Sequence, residues 1–578
     1  MAGSYWDKFT RQRVSRRRAL QAASAAGVGA GAIWLVGCGS DDDDGGGGET
    51  PGTGETPEPT EGGQQSGPQI LNEKNPPVPG GRQVISSAAD FGTWEPGTTV
   101  AGAGGFLPQL YNLLLNQSTL SPETILFDLA ESYENPDELT WNFKIRTGVK
   151  VGPNSLGVEE RDLTAEDAKA SYDRMLTYEQ SSNGAIKNYL AEVLASSDTF
   201  TLKTKNPYAW LLYRVGAFVS TIQPRELLAD DASIAKMNTG SAGGGPYVLT
   251  SSTEGEGAKL DKNVNYWRKD TRNNDAQLPY RDGIDVRIIR DRAAVRTAFI
   301  DGQIHSYGAE GKEDAEDVSS KGDFFGTKDP ATTFICFTMM PEKDPWKDER
   351  ARKAIGFAIN RQEYVELVYG GDAEANGLVH WPQGDYAFRG DELKELQPYD
   401  VAEAKKLVDA LGGLKFKMMY PASSNIQQHD QHLPIFLKQM EAAGIEIEQD
   451  PQDFGTWYTN YQTLNYVASL SLNQSYETPE VPLDFHSIKG PLDRQFIIGL
   501  NDPEIQAAID KTKQTLDLEE RIKAVRDAQK LVYQKGPTLY PLVTPFSYVV
   551  YSNKLHNVTT GLGPASNALH NIAAWIEA

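Results

Sequence analysis

Between Gly39 and about Gly80 the chain has almost nothing to bury, and this gap decides where a fold can begin. Asp41 to Asp44 and Gly45 to Gly48 are followed by Gly, Pro, Glu, Thr and Gln, a composition that cannot offset the entropy of ordering. Residues 39–80 are therefore expected as a disordered linker, with a reach of roughly 35 Å for about 42 flexible residues. Core-forming capacity lies beyond it. A chain of 578 residues is too long for one core at about 100 to 200 residues per domain, so two or three lobes are expected.

Ahead of the linker, residues 1–38 read as an export signal. Arg16, Arg17 and Arg18 precede a weakly apolar run from Ala19 to Val36, and Gly37 supplies the small residue a signal peptidase needs beside its cut. The run is at the short end of the ~17 to 25 residues that span a bilayer. Leu35-Val36-Gly37-Cys38 resembles a bacterial lipobox, which implies that Cys38 takes a diacylglyceryl group and becomes the mature N-terminus. The arginines also look like a twin-arginine signal, although Ala19 stands where that motif prefers a bulky apolar residue; general secretion remains open. The expected location is the extracytoplasmic face of the bacterial cell membrane, with a lipid tether as the only membrane contact.

Charge narrows the function classes. The whole chain carries −23, while the head holds Lys8, Arg11, Arg13, Arg16, Arg17 and Arg18 against Asp7, a net +5, which leaves the body near −28. Such a body does not bind phosphate backbones nonspecifically, so nucleic acid is not an expected partner. With Cys38 acylated, Cys336 has no cysteine to pair with, and its setting Thr333-Phe334-Ile335-Cys336-Phe337 reads as a buried strand.

Beyond Gly80 strands and helices alternate. Arg82 to Ser86 reads as a strand, and Trp141, Phe143, Ile145 and Val149 place one face of another in a core. Thr164 with Asp167 is a capping pair for a helix over 165–176; Asp400 with Glu403 does the same for the next, which Gly412-Gly413 ends. A strand from Leu414 to Tyr420, a helix with Leu433, Phe436, Leu437 and Met440, and the alternating Ile445-Glu446-Ile447 make an α/β lobe.

Several of these stretches, in order, closely resemble one family. They are Asp128 to Glu134, Leu139 to Lys150, Leu163 to Ala168 with Ser171-Tyr172, Gly245 to Leu249, Asn265-Tyr266-Trp267, Asp348 to Ile355 with Ala358 to Arg361, and Tyr399 to Leu407. Together they resemble the peptide/nickel-type, family 5 solute-binding proteins of ABC importers. The resemblance implies an α/β fold of the periplasmic binding protein type II kind with three lobes, an interlobe cleft and a hinge. It places a base lobe at 81–110, 215–328 and 536–578, an inserted lobe at 111–214 and a distal lobe at 329–535. It also implies a monomer that captures a peptide or another small polar oligomer and delivers it to an ABC permease with its own ATPase.

The family's cleft strand falls on Leu472 to Pro479, where peptide-binding members usually carry an aspartate for the ligand's α-amino group. This chain has none between Asn473 and Pro479, and Glu477 is the available substitute. Oligosaccharide binding therefore stays open as an alternative. The site candidates are Trp94 on the base lobe and Trp381, Asn473, Gln474, Tyr476 and Glu477 on the distal lobe, since aromatic faces stack on a ring or backbone while amides supply donors and acceptors.

Enzyme motifs do not emerge. No Gly-x-Ser-x-Gly elbow or His-Glu-x-x-His occurs, His429 and His432 lack a completing metal ligand, and Gly240 to Gly245 lacks a P-loop ending. No catalytic residue, cofactor or metal is expected; a secreted hydrolase or a sensory surface lipoprotein are the competing readings. Cys38→Ala is expected to leave a folded but unprocessed or unanchored precursor, checked by membrane fractionation and intact mass; unchanged attachment would contradict the lipobox.

Overall fold

The computed structural model describes residues 69–96, 103–117, 125–177, 184–217, 219–331, 333–422, 429–474, 478–487, 499–560 and 571–577. These lie in one unit, Gln65–Ala578. The export signal with Cys38, and the linker as far as residue 68, lie outside the described residues. The last part of the expected linker is structured. Gln69–Leu71 is a strand paired antiparallel with Val558–Thr560, and Asn72 Nδ2 donates to the carbonyls of Asn553 and Leu555 at 3.0 and 2.9 Å. Its Ile70 and Leu71 pair with Thr559 and Val558 near the other end of the chain, which no local composition reveals.

Arg82–Ser87 pairs in parallel with Gly283–Ile288, and Gly257–Lys262 and Tyr247–Thr253 complete that sheet antiparallel. A second four-stranded sheet runs Ala130–Asp137, Thr140–Ile145, Thr199–Thr204, Leu190–Ser196, antiparallel throughout. In Thr140–Ile145 the expected alternation holds: Trp141, Phe143 and Ile145 are buried against the helix Ala165–Thr177 and its neighbours. That helix starts where Asp167 takes up the Thr164 N–H at 2.8 Å. Asp167 is also fully buried. Burial alone would raise its carboxyl, but Arg161 at 2.6 Å and the backbone N–H groups of Arg225 and Thr164 hold it below the usual carboxylate range. Its part in the family-like motif is to hold the scaffold together.

The glycine-rich loop 240–245 is a packing device. A Cβ on Gly243 would sit 2.3 Å from the Leu110 carbonyl oxygen, and one on Gly245 would sit 2.5 Å from the Leu110 carbonyl carbon. Backbone lies against backbone there, so no side chain fits.

The third sheet contains the strand that ends in the candidate residues Asn473 and Gln474. Its strands are β1 (Thr333–Met339), β2 (Leu414–Pro421), β3 (Ile445–Gln452), β4 (Ala468–Gln474) and β5 (Leu539–Pro541), in the spatial order β3-β2-β4-β1-β5. β2, β3 and β4 are parallel, and β1 is antiparallel to both of its neighbours. Parallel neighbours need crossover connections, supplied by the helices His429–Ala442 and Phe454–Gln462. The helix Val401–Ala410 that feeds β2 is capped by Asp400, which accepts from the Glu403 N–H at 2.9 Å, a contact worth about 1 kcal/mol. β5 was expected in the base lobe but completes this sheet beside β1, because Leu539 packs with Phe334 and Cys336 in one apolar cluster. The next strand, β6 (Val543–Ser552), leaves it and pairs instead with Ser306–Ala309, Phe324–Pro330 and Ala373–Ala375.

Cys336 lies in the middle of β1, fully buried, with Sγ 3.5 Å from Ser471 Oγ. Burial pushes its thiol up to about 12, so the thiolate is scarce at neutral pH. In a Cys38→Ser protein, a thiol reagent is expected to leave Cys336 unmodified under native conditions and to titrate one thiol in guanidinium; rapid native labelling would contradict the packing of β1.

Candidate functional site

In open sheets with parallel strands, ligands lie outside the carboxyl ends of the strands, where consecutive connections diverge. Here the point of divergence is between β2 and β4. The chain leaves β2 toward β3 on one side and returns to β4 on the other. The carboxyl ends of Pro421, Gln452 and Gln474 therefore mark one edge as the candidate site. Antiparallel β1 enters the sheet at this same edge, with Thr333 opposite Gln474 and Phe334 opposite Asn473.

Asn473 and Gln474 thus occupy the last two positions of β4, at the mouth of the divergence. Tyr476 and Glu477 lie outside the described residues. Across β1, the His380 ring meets Phe334 edge-on at 4.0 Å, and Trp381 follows at the head of the short 3-10 segment Trp381–Tyr386. Trp381 is only 3% exposed, its ring 5.5 Å from Phe546 with the Arg389 guanidinium 5.0 Å away. Burial keeps both His380 and His486 neutral, each pushed down to about 3.

Trp94 does not join them. It is 1% exposed, packed among the tilted rings of Phe91 and Phe106, and its indole N–H donates to Ser252 Oγ at 3.0 Å. In this arrangement the Trp94 ring is enclosed by neighbouring side chains and its N–H is bonded, away from the edge where β4 ends. His429 and His432 are also packed rather than polar and open. His429 Nε2 is 3.3 Å from the Leu470 carbonyl, and His432 lies against Tyr364 and Tyr369. Among the described residues no group of three or more His, Cys, Asp or Glu side chains is arranged to hold a metal ion.

A cavity of about 360 Å³ opens at the opposite edge of the sheet, beyond Met339, between Pro341, Arg352, Asp502 and Lys535. Lys535 at its wall lies 3.1 Å from Asp502 and 2.9 Å from Glu504. It sits at the amino ends of the parallel strands, away from the candidate site.

Just past β4 the chain forms the helix Glu480–Asp484, which meets the distant segment 208–214 through a set of buried charges. The Tyr208 hydroxyl donates to Glu480 at 2.9 Å, and Arg214 lies 3.5 Å from the same carboxylate. Lys513 Nζ is 2.5 Å from Asp484, and the Lys513 carbonyl accepts the Ala209 N–H at 2.7 Å. Tyr189 stacks on Tyr208 at 3.9 Å, and Arg214 reaches Thr478 Oγ1 at 3.5 Å. Two carboxylates and two cations balance, which is what permits their burial. Sequence reading missed all four. Glu480 and Asp484 stand one helical turn apart, yet Arg214, which faces Glu480, lies over 260 residues away and Lys513 faces Asp484 from another helix, and no spacing rule connects them.

Asp484 is the least comfortable member. Burial pushes its carboxyl up to about 7, although Lys513 draws it back; the Lys513 ammonium, which burial alone would lower, is held above its ordinary value by Asp484 and Glu480. An unfolded aspartate titrates near ~4. The folded state therefore binds the Asp484 proton more tightly, and this group's contribution to stability is lost as pH rises from about 4 to about 7. Comparing melting temperatures of wild type and Asp484→Asn over that range should give a flatter pH profile for the variant; parallel profiles would contradict the assignment. Lys513→Met should destabilise by about 3 kcal/mol or more, because it strands a buried carboxylate.

With this geometry in place, comparison with known proteins is informative. The family model described as bacterial extracellular solute-binding proteins, family 5, middle, matches residues 124–490. The glutathione-binding protein GsiB of Salmonella typhi is 22% identical over 450 residues, covering 74% of this chain and 82% of that one. The ABC transporter-associated periplasmic binding protein DppA of Helicobacter pylori, solved with the peptide STSA, superposes with a TM-score of 0.69 at 18% identity, covering 87% of this chain and 99% of that one. The oligopeptide-binding protein AppA of Bacillus subtilis, solved with a nonapeptide, gives 0.68 at 18% identity over 87% and 100%. The fold is that of periplasmic binding proteins rather than of enzymes. No helix among the described residues is long and apolar enough to cross a membrane. The chain belongs to the bacterial extracellular solute-binding proteins of family 5.

Proposed function

We propose that this protein is a lipid-anchored receptor that captures a peptide outside the cytoplasmic membrane and delivers it to an ABC importer. The observation that carries the reading is the site's position. The carboxyl edge of β2, β3 and β4 lies where the chain passes between sheets at β1 and β6, so a ligand there touches more than one lobe. In this reading the base, inserted and distal lobes hold one another through the hinge strands and the 208–214 contact. Only ligand contacts made more strongly in the closed arrangement shift the population toward it. Cys38 carries the tether, and Asn473, Gln474, Tyr476, Glu477 and Trp381 contribute to the ligand wall.

Two structural neighbours were solved with a tetrapeptide and a nonapeptide, which favours peptide over the oligosaccharide alternative. The absence of the usual aspartate leaves the ligand's amino terminus to Glu477 or to none. The test is native mass spectrometry of the purified protein after exposure to a mixture of di- to pentapeptides and malto-oligosaccharides. Retention of an intact peptide, weakened at least tenfold in the Asn473→Ala, Gln474→Ala double variant with an unchanged apo melting temperature, is the expected result. Retention of a sugar, or release of cleaved products, would overturn it.

A further inference from the structure

Polar groups sealed inside a protein almost always find a hydrogen-bond partner, so those that do not call for a physical reason. Three such side chains stand together where β6 leaves the site-bearing sheet. Asn376 and Thr544 are fully buried and Trp381 nearly so, yet Asn376 Oδ1 and Nδ2, Thr544 Oγ1 and Trp381 Nε1 have no hydrogen-bond partner among the described residues. The ladder places them on one face. Glu374 is opposite Thr544, Ala375 is opposite Val543, and the Asn376 N–H donates to the Leu542 carbonyl at 3.1 Å. Alternate residues of a strand share a face, so Glu374, Asn376, Thr544 and Phe546 line up, and Trp381 rests on Phe546.

We propose that Asn376, Thr544 and Trp381 form the polar floor of the ligand site and bind an interior peptide unit of the ligand. The assignment rests on the peptide reading above and deepens it. An asparagine side chain offers one acceptor and two donors, the complement of a peptide N–H and C=O taken together. The indole N–H and the threonine hydroxyl extend that pattern on either side. The neighbouring charges are already matched, since Glu374 and Arg389 pair at 2.9 Å. A neutral row suits a neutral amide better than a charged terminus.

The same atoms explain how binding would favour closure. In the present arrangement they are buried and meet no protein partner among the described residues, and a buried polar group costs free energy until a partner is supplied. A ligand that enters as the elements part, and supplies the missing partners as they close, binds the closed state preferentially.

The experiment compares wild type with Asn376→Leu and the isosteric Thr544→Val. A di- to pentapeptide library is presented to wild type, and one retained peptide is titrated by calorimetry into all three proteins, alongside their apo melting temperatures. Affinity is expected to fall at least tenfold in each variant while the apo melting temperature holds or rises, because an unmet polar group has been removed. A merely structural role would instead lower the apo melting temperature, and that result, or unchanged affinity in both variants, would overturn the floor while leaving the peptide reading intact. A wild type that retains no peptide would overturn the peptide reading and the amide assignment with it.

Discussion

Two strands that cross side by side from one sheet to the next are the constraint on which the rest of this structure depends. Phe324–Pro330 runs on into β1, and β5 runs on into β6. Backbone hydrogen bonds stitch the crossings together: the Ala331 N–H donates to Pro545 at 2.9 Å, and the Leu542 N–H donates to Ile335 at 3.0 Å. Two adjacent, bonded crossings can bend but cannot separate. They also fix the antiparallel insertion of β1 beside β4, and so bring Phe334 and Asn473 to the carboxyl edge where the parallel strands diverge.

Everything at the candidate site inherits its position from that arrangement. The parallel strands need helices between them, the helices put loops at one edge, and the crossings put the sheet of β6 and Phe324–Pro330 beside that edge. The buried charges between 208–214 and 480–513 make a further tie, and their balance of two carboxylates against two cations is a reason for the segments to dock in one register only. Near the edge the neutral His380 ring meets Phe334 edge-on, and Trp381 lies against Phe546.

Much of the fold was legible in the sequence because its signals are local. Asp400 before a periodic apolar run, the alternation of Trp141, Phe143 and Ile145, and the spacing of Phe436 and Met440 each report a cap, a face or a period that the chain realises. What escaped is what depends on distant partners. Gln69–Leu71 looks like linker until Val558–Thr560 is beside it, and Leu539–Pro541 changes sheet because Phe334 and Cys336 offer it a core. The site was legible only in part. The position of β4 could be read, but a tryptophan's free face could not, and Trp94 turned inward to Ser252 while Arg214, Glu480, Asp484 and Lys513 found one another across the chain.

The central claim is that a ligand is held at the carboxyl edge of β2, β3 and β4 and bridges to the crossing strands. Hydrogen–deuterium exchange of the whole protein, with and without a retained peptide, tests it most directly. The account predicts added protection concentrated at residues 333–334, 376–381, 421–422, 452–454, 473–478 and 542–546. Protection confined to another surface, or none despite saturating peptide, would contradict it.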